Sequence, residues 1–187
     1  SSVTELGKFN LDFAHPFSDK TVHLISEKNF VETSTVFNPA TGTYSVISIY
    51  SFNEILVSGI QPSSNVVYNL VIPKFQSANT SRSSYTSFTS FHTRNSTVLL
   101  YNDNQRNSKL PLTSDDGYRQ LNSANNTAIN AVLIDVKGNS AKRIVAPPVG
   151  EEGDLVLDPR FIYRYSKNAV FVTTNAYRTR YFKILTD

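Results

Sequence analysis

Tyr44-Ser45-Val46-Ile47-Ser48-Ile49-Tyr50-Ser51-Phe52 is the stretch on which the fold class turns. Successive side chains of a strand point to opposite faces, so Tyr44, Val46, Tyr50 and Phe52 fall in one aromatic and apolar row. The residue types are β-branched and aromatic, which suit a pleated surface better than a helix. The same period of two recurs on either side. Upstream, Phe9, Leu11 and Phe13 share a face, Val22 and Leu24 share another, and 30–37 is a further strand. Downstream, the turn Gln61-Pro62-Ser63-Ser64 leads into 65–72, where Val66, Tyr68, Leu70 and Ile72 align. Later runs cover 97–101, 128–136, 154–157, 161–165, 169–174 and 177–185. Lys137-Gly138-Asn139 reads as a hairpin turn, because Gly and Asn tolerate positive φ, and Lys167-Asn168 and Asn175-Ala176 mark two more.

These runs amount to about ten strands at near-regular spacing, with no helical period between them. Composition agrees: of 187 residues, 58 are Ser, Thr or Asn, so strong helix formers are few and turn formers plentiful. The expectation is all-β, a single antiparallel sandwich of jelly-roll type occupying 1–187 as one domain. Two irregular stretches, 76–96 and 102–126, are too long for routine hairpin loops and read as functional or contact-making. Ala146-Pro147-Pro148-Val149-Gly150 opens a stiff crossover within that one domain.

Several chemistries are excluded by what the chain lacks. Without cysteine there is no disulfide, thiolate nucleophile or Cys-ligated metal. No G-x-S-x-G elbow, phosphate loop or G-x-G-x-x-G occurs, and no H-x-x-x-H pair joins His15, His23 and His92. No enzyme, cofactor or metal site is therefore expected, and the histidines read as structural or surface residues. Asp115-Asp116-Gly117 reads as a turn; Asp154 with its neighbours is the one place where calcium chemistry would fit, without an EF-hand spacing. No apolar run approaches the roughly 20 residues of a membrane helix, and membrane insertion is not expected. Asn79, Asn95 and Asn125 are glycan acceptors by sequence, carrying little weight in so Asn- and Ser-rich a chain. Ser1 is small enough to follow a removed initiator methionine, and processing of a precursor would leave the same start.

Two groups of residues stand out as candidate contacts. Net charge is +3, yet Arg160, Arg164, Lys167, Arg178, Arg180 and Lys183 contribute +6 within 24 residues, so the rest of the chain carries −3. Guanidinium forks capture phosphate or carboxylate in pairs of hydrogen bonds, so Arg160, Arg164, Arg178, Arg180 and Lys183 form a candidate anion, nucleic-acid or interface surface. Tyr85, Phe88 and Phe91 recur every third residue in a Ser/Thr-rich stretch and read as contacts to a partner subunit or glycan. The polar run 102–109 reads as a solvated tip where an external receptor would meet the protein.

The lack of catalytic signatures, the long loops and the many aromatics point to a non-enzymatic structural subunit. A viral capsid or spike-type protein that self-associates through strand edges and loops is the leading expectation, placed in a virion or at a cell surface. Its partners would be further copies, other structural subunits, and nucleic acid or an anionic ligand at the basic C-terminal strands. A secreted or surface carbohydrate-binding adhesin module is the alternative.

Overall fold

The stretch quoted above lies inside an 18-residue strand. In the computed structural model the described residues are 8–80, 83, 85–113, 116–124, 126–146, 156–165, 168–174 and 179–185, with side chains described as far as Phe161. Twelve strands are named among them: β1 (Phe9–Pro16), β2 (Val22–Asn38), β3 (Thr43–Ile60), β4 (Val66–Ile72), β5 (Gln76–Ala78), β6 (Phe88–His92), β7 (Ser96–Asn104), β8 (Thr127–Asp135), β9 (Ser140–Ala146), β10 (Val156–Tyr165), β11 (Asn168–Thr174) and β12 (Thr179–Leu185). The all-β, antiparallel reading of the sequence is the fold observed.

Every named strand pair is antiparallel, and within each sheet successive strands sit side by side, β5 apart. The first sheet runs β1-β2-β3-β4, with β5 also on β3; the second runs β6-β7-β8-β9; the third runs β10-β11-β12. This meander order does not confirm the jelly-roll refinement, in which strands alternate between sheets. The stretches expected as separate strands at 22–24 and 30–37 are one continuous β2, bent by a register shift between Glu27 and Asn29. The irregular stretch 76–96 contains β5 and β6, short strands whose polar composition hid them. The Lys137-Gly138-Asn139 turn closes the β8–β9 hairpin with Gly138 at φ 88°.

The second sheet lies in the middle of the packing. Leu99, Tyr101, Val132 and Ile134 face the first sheet, where Ile25, Ile55, Val57 and Ile72 meet them together with Phe88. The alternate residues Val98, Leu100, Ile129 and Ala131 face the other way and pack with Phe91 and with Leu157 of β10. Seven consecutive residues of β7 are buried in consequence. A side-chain staple joins the layers: Asn102 donates Nδ2 to the Leu157 carbonyl at 2.7 Å and accepts the Leu157 N–H at 2.8 Å. One amide thereby satisfies both backbone groups of a buried residue, as the low-dielectric interior requires.

All three histidines meet near Phe17. His15 shares a hydrogen bond with Ser90 Oγ at 2.7 Å, and His23 one with Thr97 Oγ1 at 2.8 Å. The other nitrogen of His23 meets the Tyr68 hydroxyl, and His15 and His92 approach Nδ1 to Nδ1 at 3.2 Å. Burial pulls the His23 pKa below the usual histidine value. Among the described residues no group of three or more His, Asp or Glu converges as a metal site.

Candidate functional site

The feature least explained by internal packing is the outer half of the β2–β3 hairpin. Residues 31–38 pair with 43–50 in unbroken register, Val31 opposite Tyr50 through Asn38 opposite Thr43. At about 3.3 Å per residue this ribbon is roughly 25 Å long. Its tip is built locally. The Gly42 N–H reaches the Asn38 carbonyl at 2.9 Å, Asn38 Oδ1 accepts from the Ala40 N–H at 3.0 Å, and Gly42 sits at φ 65°, which only glycine adopts freely. The Phe37 and Tyr44 rings pack across the strands with centroids 5.0 Å apart.

The ribbon exposes apolar side chains on both faces. One face carries Val31, Phe37, Tyr44 and Val46, interleaved with Thr33, Thr35 and Ser48. The other carries Val36, Ile47 and Ile49, interleaved with Ser34 and Ser45. Tyr44 is 73% and Val46 70% exposed, and seven of the thirteen exposed large apolar residues among the described residues fall within 31–49. Single exposed apolar residues are ordinary on protein surfaces; a cluster of this density marks an interaction surface. From Thr43 to Ile49, outside the tracts paired with β5 and β4, the β3 edge has no strand beside it among the described residues. A row of unpaired N–H and C=O groups is therefore also on offer.

The root of the ribbon is held by a buried charge. Lys74, fully buried, forms an ion pair with Glu27 Oε1 at 2.7 Å and donates to the Phe52 carbonyl at 2.9 Å and to Gln76 Oε1 at 3.1 Å. Two of these three partners lie on the ribbon's own strands: Glu27 on β2 and Phe52 on β3. Ser87 Oγ donates to the second oxygen of Glu27 at 3.0 Å. Burial pulls the Lys74 pKa down while the Glu27 carboxylate pushes it back up. The ion pair sits beside the register shift between Glu27 and Asn29, where the hairpin leaves the core.

Of the residues singled out by sequence, Arg160 is exposed and already matched. Its Nε donates to Asp158 Oδ1 at 2.7 Å and its Nη2 to Oδ2, in a bidentate pair. Arg164 stands opposite Ala169, Arg180 opposite Thr173 and Lys183 opposite Val170 in the third sheet. Their side chains lie outside the described residues, as do Lys167, Arg178 and Asp154 altogether. Phe88 and Phe91 are each 4% exposed, in the two separate core clusters, and the Tyr85 hydroxyl donates to the Ser77 and Asn122 carbonyls at 2.9 and 3.0 Å. Phe88 and Phe91 are thus core residues, because the spacing of three puts them on opposite faces of β6 and each packs in a core cluster, while Tyr85 is half-buried. Sequence reading passed over the ribbon, although a signal was present. Residues 33–53 form a run of 21 without one charged side chain. Lys74 carries no such local signal.

The chain matches no family model, and no curated protein or solved structure matches it significantly.

Proposed function

We propose that this protein is a non-enzymatic structural subunit that self-associates through the β2–β3 ribbon, most concretely a capsid- or spike-type subunit of a virion. One observation carries the reading: a ribbon with apolar side chains exposed on both faces and a single charge, Glu32, between residues 31 and 49. An isolated two-stranded hairpin is marginal in water, and three or more strands or a covering layer give it stability. Identical ribbons suit one another, since contact between copies brings almost no like charges together. The mixed faces speak against a lipid partner, because a membrane-spanning hairpin separates an apolar face from a polar one. In this reading the basic C-terminal strands meet nucleic acid or acidic groups of a neighbouring subunit.

The test is solution mass by analytical ultracentrifugation, with negative-stain imaging of the same sample. The wild-type chain forms a discrete multimer or particle well above 20.9 kDa. The doubly substituted Tyr44→Glu/Val46→Glu chain, altered only on one exposed ribbon face, sediments as a folded monomer. A wild-type monomer at all concentrations, or assembly indifferent to the double substitution, overturns the proposal.

A further inference from the structure

A second surface, distant in sequence from the ribbon, has the makings of a ligand site. A bowl of about 580 Å³ opens among Asn104, Gln105 and Arg106 at the end of β7, Tyr118, Arg119, Gln120 and Asn122 in the following connection, and Asn126 before β8. Its lining is five carboxamides, two guanidinium groups and a phenol, with no carboxylate and no aliphatic side chain among the described residues. The volume lies in the ordinary range for small-ligand pockets, but such pockets are mostly apolar and this one is the reverse. Its ligand must therefore be covered in polar groups.

The walls are fixed from below. Buried Asn107 donates Nδ2 to Asp103 Oδ1 and to the Arg119 carbonyl, and accepts the Arg119 N–H, each at 2.7 Å. The Gln105 N–H reaches the Asn126 carbonyl at 2.9 Å, and Asn104 Oδ1 accepts the Arg106 N–H at 3.1 Å. Lys142 Nζ donates to the Asn107 carbonyl at 2.8 Å and to the Tyr118 hydroxyl at 3.0 Å. The backbones of Arg106 and Arg119 are thus held, while both side chains are exposed and neither has an ion-pair partner among the described residues. A rigid floor under two unmatched cations is a preorganised anion site.

We propose that this bowl binds an acidic oligosaccharide, with Arg106 and Arg119 taking its carboxylate or sulfate and the Gln120 and Asn122 amides taking its hydroxyls, while Asn104, Gln105 and Asn126 bond to one another and to the wall. A carboxamide presents a donor and an acceptor together, which matches a sugar hydroxyl that is itself both. A single-stranded nucleic acid fits less well, because its bases need free aromatic faces. The bowl's one ring, Tyr118, is taken up by the edge of Phe75 and by Lys142, 5.1 Å from its centroid. The site does not depend on the assembly reading.

The experiment is saturation-transfer NMR and calorimetry on the full chain with five probes: sialyllactose, tri-galacturonate, a heparin-derived tetrasaccharide, neutral maltotriose and a dT10 oligonucleotide. At least one acidic sugar binds and maltotriose does not. Arg106→Gln/Arg119→Gln weakens that binding by about ten-fold or more, the loss of charge-assisted hydrogen bonds, with Tm unchanged. Comparison of the carboxylated with the sulfated probes names the anion. Equal binding of maltotriose, binding of dT10 alone, binding unaffected by the double substitution, or no binding by any sugar overturns the proposal. Tyr44→Glu/Val46→Glu retains sugar binding, which separates this result from the outcome of the assembly test.

Discussion

Ser45-Val46-Ile47-Ser48-Ile49-Tyr50 in the ribbon and Thr97-Val98-Leu99-Leu100-Tyr101-Asn102 in β7 draw on nearly the same residue types. Both are strands of antiparallel hairpins, and both carry apolar side chains on two faces. One is largely exposed; the other is buried throughout, with Thr97, Leu99, Leu100, Tyr101 and Asn102 at 0%. The difference lies in what stands on either side. β7 has the first sheet against one face and β10 against the other, while the ribbon has run past the ends of β4 and β5. A strand apolar on both faces asks for two covering layers. Among the described residues nothing covers the outer ribbon, and in the proposed reading a second copy supplies the missing layer.

The comparison is broken most severely at the junction between its halves. Lys74→Met leaves Glu27 buried at 2% exposure without its cation, and destabilises the fold by about 3–5 kcal/mol in urea unfolding. Lys74→Met combined with Glu27→Leu recovers most of that loss, because the isolated buried charge is then gone. No recovery in the double variant would mean that the pair does more than neutralise itself.

Removing one cover from β7 comes next. Asn102→Ala leaves the Leu157 N–H and carbonyl without partners and lowers stability by about 2–4 kcal/mol, read as a drop in the urea midpoint. A smaller change, within about 0.5 kcal/mol, would mean that the third layer is held without the staple.

A weaker effect sharpens the contrast through pH. Burial pushes the Asp103 carboxyl, beneath the end of β7, up to about 6. The folded state then takes a proton before the unfolded chain does. The stability this group contributes is complete below about pH 4 and is lost as pH rises through about 6, on the order of 3 kcal/mol. Asp103→Asn removes that slope from the unfolding free energy measured between pH 4 and 7. His23 acts with the opposite sign: its lowered pKa lets the unfolded chain protonate first, so its contribution falls as pH drops below about 6.5. An unchanged slope in Asp103→Asn would remove Asp103 from the account. The smallest effect belongs to the ribbon: Tyr44→Glu/Val46→Glu, which is to abolish assembly, shifts the stability of the monomer by no more than about 0.5 kcal/mol.

The strands were legible because period-two alternation is a property of the chain alone: 44–52 and 97–101 lie wholly in strands, and 65–72 and 128–136 match β4 and β8 to within a residue at each end. The turn at Gly138 was legible for a similar reason, since positive φ is a local demand. β5 and β6 were not, because Gln76-Ser77-Ala78 and Phe88-Thr89-Ser90 take their strand conformation from the neighbours they pair with, β3 and β7. The bowl was legible only as a polar tip. Its walls are brought together by Asn107 and by a hydrogen bond between residues 105 and 126, and nothing local announces either.

Residue type and spacing were enough to tell that this chain is built from antiparallel strands, that these 187 residues include no cysteine, and that one long stretch, 33–53, carries no charge. Tertiary structure alone decided which apolar strands are covered, that Phe88 and Phe91 are core, and that Lys74 sits on Glu27. Burial depends on what lies across from a side chain, and alternation records only that a side chain has two faces to choose between.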